Sequence, residues 1–269
     1  MTSVDSAPRA RLPAVAGLFY PDDPYELRAV VQGYLDAAPA APAGRPKVLI
    51  VPHAGYVYSG PVAASAYRGL KGLEPAVERV VLAGPSHRIP VPGIATPEVA
   101  AFDTPLGRVS LDQDMIARLL KLPHVYASNL PHRMEHSLEV QLPFLQMTLG
   151  EFSLVPLAVG DAAPGVVANV LEACWGGPET LVVISTDLSH YRDYDGARQL
   201  DAATAQAIVA RADDLQDEQA CGCRVLNGLM RVARRRDLRV ETLDLRNSGD
   251  TSGDISRVVG YGAFALYGG

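Results

Sequence analysis

The sequence predicts an α/β protein with a mainly parallel central sheet flanked by helices. Short runs of continuous apolar residues, the pattern of strands buried on both faces, recur along the chain. Between them lie longer stretches whose apolar residues repeat at helical spacing, and this alternation builds parallel sheets. Size and composition agree: 269 residues, 48% hydrophobic and 20% charged, suffice for a large core in a single domain over 1–269.

Taken in order, residues 1–12 are rich in Ala, Pro, Ser and Arg and read as a frayed, disordered terminus. Asp22 and Asp23 then precede a helix over Pro24–Ala37, in which Leu27, Val30, Val31, Tyr34 and Leu35 share a face. Residues 38–46 form a Pro/Ala-rich connector. The roughly 40 residues before it are too few for a domain, so they read as an N-terminal extension of the same one. Strand-like runs follow at Val48–Val51 and at 80–83, 154–159 and 181–184, with helices expected at 61–70, 112–120, 138–149, Pro164–Ala173 and 197–211. The C-terminal part offers a helix over 220–235, strands over 239–245 and 258–266, and a polar loop over 247–254. No solenoid-length repeat is visible.

Charge and cysteine usage exclude several classes. A net charge of −6 argues against a nucleic-acid footprint or an anionic membrane surface. No run approaches the length of a transmembrane helix, and residues 1–11 lack the apolar core of a secretory signal. Three cysteines, two of them one residue apart, do not make a disulfide framework and suit a reducing cytoplasm. There is no Walker lysine motif and no G-x-G-x-x-G after a strand. Arg234, Arg235 and Arg236 suit the C-terminal end of a helix and need no nucleic acid to explain them.

The chemistry-bearing residues cluster at strand ends. His53, His87 and His190 each follow an apolar run and a few small or polar residues. In an open parallel sheet those ends share the edge where ligands bind, so neighbouring strands would bring the three imidazoles to one crevice. Asp187, three residues before His190, is placed to orient that imidazole or hold it protonated. Tyr56 and Tyr58 either line the same pocket or stack in the core, while Gly55 and Gly60 allow a tight turn. His136 either lines the pocket or belongs to a helix start at which Ser137 is a candidate cap beside Glu135 and Glu139. His124 and His132 read as surface or structural, and Cys174 beside Trp175 as core packing. Cys221 and Cys223 stand near the start of the 220–235 helix, where the dipole favours a thiolate able to bind a metal or attack a carbonyl. C-x-C alone cannot complete a tetrahedral site, but His53 and His87 would complete a His₂Cys set. Residues two apart on a helix point about 200° apart, so one thiol, Cys221, is expected to face the site.

Five motifs occur in order: 52–60 (PHAGYVYSG), 84–87 (GPSH), 135–139 (EHSLE), 185–190 (STDLSH) and 220–222 (ACG). Together with 16–21 (AGLFYP) and 260–263 (GYGA), they resemble the Memo family, whose prokaryotic members are called AmmeMemoRadiSam system protein B. The resemblance covers nearly the whole chain as a single Memo-like domain. It implies the fold of class III extradiol ring-cleavage dioxygenases, which hold non-haem iron with two histidines and a carboxylate. By that resemblance His53 and His87 are metal ligands, Cys221 takes the carboxylate's place, and His190 is the acid/base with Asp187 beside it. Iron is the first choice of cofactor, with copper or zinc as alternatives. A thiolate ligand is softer and itself oxidisable, so the fold does not carry the activity with it. Three functions follow from the resemblance: a dioxygenase-like oxidoreductase acting on a small, oxidisable, aromatic substrate; a non-catalytic metal- or peptide-binding interaction protein; or a zinc hydrolase. The family name also implies an AMMECR-like protein and a radical SAM protein as partners.

Overall fold

The computed structural model describes residues 10–73 and 76–268. It opens with β1 (Ala10–Arg11), which runs parallel to residues 101 and 102. Of the stretch expected to fray, residues 1–9 lie outside the described residues, whereas Ala10 and Arg11 are ordered by pairing and by burial of the Arg11 side chain. In α1 (Pro24–Ala37), Asp23 accepts hydrogen bonds from the Tyr25 and Glu26 amides, and Leu27, Val31 and Leu35 form the buried stripe. All four residues of β2 (Val48–Val51) are buried. The next helix, α2 (Tyr56–Tyr67), starts five residues before the predicted one and carries Pro61 inside it. The proline removes a donor to the carbonyl of Val57, an exposed residue whose oxygen has access to water. Gly60 lets α2 approach α1, because a Cβ there would lie 2.6 Å from the Tyr34 ring.

The chain then passes through β3 (Arg79–Pro85), β4 (Ile94–Thr96), β5 (Ala101–Thr104), β6 (Gly107–Ser110), α3 (Gln113–Leu119), β7 (Val125–Ala127) and α4 (Leu130–Arg133). The helix expected over 138–149 is a 3-10 turn, Glu139–Gln141, followed by α5 (Leu142–Leu149). Ser137 caps nothing; its Oγ donates to the Pro85 carbonyl at 2.8 Å and ties this loop to the end of β3. After β8 (Ser153–Val159), α6 (Pro164–Ala173), β9 (Thr180–Ser185), β10 (His190–Arg192) and α7 (Tyr194–Val209) come α8 (Cys223–Arg235), β11 (Arg239–Asn247), α9 (Ser248–Ser252) and β12 (Val258–Tyr267). The predicted polar loop thus holds a short helix, formed because Asn247 and Asp250 cap each other's amides.

The main sheet has nine strands in the order β10-β12-β2-β9-β3-β8-β4-β7, with β11 paired to β12. It is mixed, which corrects the expectation of a mainly parallel sheet. The pairs β2–β9, β9–β3, β3–β8 and β4–β7 are parallel, whereas β12 runs antiparallel to β2, β10 and β11, and β4 to β8. The connection from β11 to β12 is too short for a crossover, so these strands must pair antiparallel. A small second sheet has the order β1-β5-β6. Every residue of β2 and β9 is buried, so the parallel centre is covered on both faces. The cover comes from α2 against β2, β11 and β12, from α7 against β11 and β12, and from the α6–α8 pair, of which α8 packs on β3. One cluster of buried apolar side chains runs from Val15 to Tyr267.

Candidate metal centre

Strands β2, β9 and β3 are adjacent and parallel, so their C-terminal ends form one edge. Two residues beyond those ends stand His53, Asp187 and His87. His53 is 1% exposed, and its amide donates to Asp187 Oδ1 at 2.7 Å. Its Nδ1 lies 2.9 Å from Ser185 Oγ, whose own proton goes to the Ser137 carbonyl at 2.5 Å. The serine is therefore the acceptor, His53 carries its proton on Nδ1, and the lone pair is on Nε2. Gln141 holds the serine in place, its Nε2 donating to Ser185 Oγ and to the Pro52 carbonyl, each at 2.8 Å.

His87 is set the same way by a carboxylate. Its Nδ1 donates to Glu135 Oε1 at 2.9 Å and its amide to Oε2 at 2.6 Å, which leaves Nε2 free. Glu135 Oε1 also accepts from the His136 and Ser137 amides, each at 3.0 Å. Burial alone would raise the Glu135 pKa; the His87 side chain and amide and the Ser137 amide outweigh it and hold the carboxylate at about 2.

His136 completes the cluster. Its ring stacks on His87 at 4.9 Å and stands edge-on to His53 at 5.4 Å, while the His53 and His87 centroids are 5.1 Å apart. One ligand atom from each of the three lies within 4.8 Å of the others, a spacing at which all three can hold one metal ion. His136 Nδ1 is buried and makes no hydrogen bond; it approaches Glu135 Oε1 at 3.3 Å without the angle for one. Burial, with smaller contributions from nearby charges, favours the neutral form of His53 and His136: it pushes His53 well below the ordinary histidine value and His136 down to about 4. Neutral imidazole is the form that binds a metal.

Cys221 lies beside His53, with Sγ 3.3 Å from Nε2 and 3.3 Å from the Asp187 amide. It precedes α8 rather than lying within it, and burial followed by the Asp187 charge raises its thiol well above the ordinary range. Its place before α8 gives it no position in that helix's first turn, and among the described residues the group of donors within 4.8 Å of one another holds His136 and not Cys221. Cys223, the first residue of α8, points elsewhere; its Sγ donates to Asp217 Oδ1 at 2.9 Å, and burial pushes its pKa up to about 12.

A cavity of 590 Å³ opens over the cluster, lined by His87, His136, Asp187, His190, Phe19 and Tyr58 among others. Tyr56 does not line it; its hydroxyl donates to the Val140 carbonyl at 2.7 Å and its ring packs on Phe144. Burial raises the Asp187 pKa to about 7 against the opposing pull of the His53 amide, and burial lowers that of His190. No hydrogen bond joins Asp187 to His190 among the described residues; the carboxylate serves the His53 side instead. His132, expected to be surface or structural, is buried, with Nε2 3.1 Å from the Ala95 carbonyl.

His53 and His87 stand just past β2 and β3, whereas His190, expected at the end of β9, opens β10; sequence reading missed Glu135 as the group that orients His87. The one available signal was its place beside His136. It missed Arg11 as well, which donates to the His132 carbonyl at 2.5 Å, the Glu135 carbonyl at 2.6 Å and the Glu139 carboxylate at 2.7 Å, and so secures the loop that carries His136.

A family model described as Memo-like protein matches residues 11–265. The chain belongs to the Memo family. Among its relatives, the MEMO1 family protein of Sulfolobus acidocaldarius is 34% identical, the match covering 93% of this chain and 97% of that protein. Those of Ignicoccus hospitalis and Aquifex aeolicus are 37% and 34% identical, each match covering 94% of this chain and 97% of the relative. A solved structure, that of uncharacterized protein JW3007 from Escherichia coli K12, is 11% identical over 82% of this chain and 100% of its own, with a TM-score of 0.47. That likeness is too slight to assign a fold class to this Memo-family chain. No helix among its described residues is long and apolar enough to cross a membrane.

Proposed function

We propose that this Memo-family protein binds a transition metal through His53, His87 and His136 and acts as an oxidoreductase on a small, oxidisable, aromatic substrate. One observation carries the reading: three imidazoles have ligand atoms within 4.8 Å of one another, and two of them, His87 and His136, line a cavity that also holds His190 and Asp187. The donor set fits a metal, since Ser185 and Glu135 hold two of the rings through Nδ1 and leave the Nε2 lone pairs for a ligand role. Three protein ligands leave positions open for small molecules; imidazole donors suit iron, copper and zinc alike, and the motif resemblance puts iron first. A bound metal would supply a Lewis-acid and redox centre for substrate and O₂. The chain's own groups do the rest. His190, kept neutral by burial, accepts a proton from a substrate hydroxyl, and Asp187, at about 7, holds or releases one near neutrality. Phe19, Tyr58 and Tyr261 wall the space with ring faces and edges suited to a flat substrate. The motif resemblance to a family related in fold to extradiol dioxygenases supports the same reading.

A zinc hydrolase is the second reading, favoured by the 3.3 Å approach of Cys221 Sγ to His53 Nε2, which offers a His53/His87/Cys221 set. Metal affinity, measured by chelator competition on anaerobically prepared protein, separates the two. His136→Ala is expected to lose at least about tenfold in affinity, with Cys221→Ser close to wild type. The reverse pattern would move the hydrolase ahead. Metal retained in wild type, with no oxygen uptake on any catechol-like compound, would leave a non-catalytic metal-binding role.

A further inference from the structure

The mouth of the cavity carries a feature that the metal cluster and His190 do not use. Tyr191, directly after His190, has a left-handed backbone with φ of 56°, rare for an aromatic residue. It sits where the pairing of β10 with β12 shifts register between His190 and Arg192, so the irregularity turns its side chain out of the ladder. The ring is 65% exposed and lines the cavity, so it does not serve the core. Strained, exposed residues beside a pocket are typical of ligand recognition rather than packing. The Arg257 guanidinium lies over this ring, 5.4 Å from its centroid, with Nε 3.5 Å from the Tyr191 carbonyl. Arg257 lines the same cavity, and among the described residues no carboxylate lies within ion-pair distance of its guanidinium.

The cavity therefore has two different ends. Imidazoles and Asp187 occupy the metal end, while Arg257, Ser248, Ser252 and Asp254 occupy the rim. Asp254 is the one rim group of opposite sign. It is turned to its own loop, with Oδ1 accepting from the Ser256 amide at 3.0 Å and the Ser256 hydroxyl at 2.7 Å. A guanidinium resting on an aromatic face, with its outer N–H groups unspent, is the usual reader of a planar oxyanion.

We infer that the ligand of this site carries an oxyanion, a carboxylate in the first instance, on its aromatic ring, bound by Arg257 on the Tyr191 shelf while the ring's hydroxyls face the imidazoles. The inference rests on the proposed aromatic substrate and gives it a second point of attachment, which fixes its orientation in the cavity. It also makes Arg257 a specificity-determining residue.

The test uses the full chain loaded with zinc, which is redox-inert, so that binding is read without turnover. Calorimetry compares catechol, 3,4-dihydroxybenzoate and dopamine, which are neutral, anionic and cationic at their substituent. Dihydroxybenzoate is expected to bind about tenfold more tightly than catechol, with dopamine no tighter than catechol. In Arg257→Gln the ratio of dihydroxybenzoate to catechol affinity is expected to fall to near one, and in Arg257→Lys to recover in part. Arg257 is exposed, so these variants keep the fold. Equal affinities in wild type, a preference for dopamine, or a carboxylate preference that survives Arg257→Gln overturns the inference alone. If none of the three binds while zinc is retained, the aromatic-substrate reading fails and takes the inference with it.

Discussion

Replacing Glu135 with glutamine changes almost no volume, yet it strikes the group on which the metal cluster is oriented. The carboxylate is 2% exposed and accepts four hydrogen bonds, three at Oε1 from His87 Nδ1 and the His136 and Ser137 amides, and one at Oε2 from the His87 amide. Glutamine has one acceptor oxygen. Its best fit places that oxygen at Oε1 and turns its NH₂ toward the His87 amide, so one buried donor loses its partner. An orphaned buried donor costs about 1–3 kcal/mol, and the three remaining bonds lose their charge assistance. Destabilisation of the metal-free protein by about 3 kcal/mol is therefore expected. Because His87 Nδ1 is no longer held by a charge, metal affinity should fall by about 10–100-fold in addition. Thermal or urea unfolding of the metal-free protein reads the first effect, and chelator competition on the folded variant reads the second. Wild-type metal affinity in Glu135→Gln would refute the claim that Glu135 orients a ligand. An unchanged unfolding midpoint would refute the hydrogen-bond count.

Two further predictions concern the frame around the site. Burial holds His132 at about 4 in the folded protein, whereas an unfolded histidine titrates near 6.5, so between those values the unfolded chain binds more protons. Stability of the metal-free protein is thus complete above about pH 6.5 and falls as pH drops toward 4, by about 3 kcal/mol from His132 alone, with His53 and His136 adding in the same direction. Urea midpoints measured across that range should show the slope, less steep in His132→Gln; a flat wild-type profile contradicts it. Arg11 and Glu139 form a buried ion pair at 2.7 Å, in which Glu139 also accepts from the Ala14 and Val15 amides and the Tyr20 hydroxyl. Arg11→Met leaves that carboxylate short of its counter-charge and should cost about 3 kcal/mol, with faster hydrogen exchange at Ala14 and Val15. Adding Glu139→Gln should restore part of the loss, and no change in exchange or midpoint would show that the pair does not anchor this segment.

Much of the frame is legible in the sequence because it is written in local patterns. α1 and α6 match their predicted bounds, the first announced by Asp23 and the Leu27, Val31, Leu35 stripe, the second by Pro164 at its first position. The apolar runs at β2, β3, β8 and β9 lie within strands at the sheet centre, since a strand covered on both faces needs apolar residues throughout. Errors arise where neighbours override local preference. Pro61 read as a helix start, but the burial of α2 carries that helix back to Tyr56. The polar stretch after Asn247 read as loop, and a reciprocal cap made it helical.

The sequence by itself determined the family and the placement of His53, His87 and Asp187 just past buried strands, because strand ends and motifs are encoded in short segments. Only the tertiary structure decided which donors meet. His53 and Cys221 are 168 residues apart, and Arg11 and Glu139 are 128 apart, so no local pattern records that one pair sets a thiol beside an imidazole and the other ties down the loop of His136. The charge state of each group was equally out of reach. It depends on burial and on the partners brought by distant strands, which raise the pKa of the Cys221 thiol, lower those of His53 and His136 and hold the Glu135 carboxylate low.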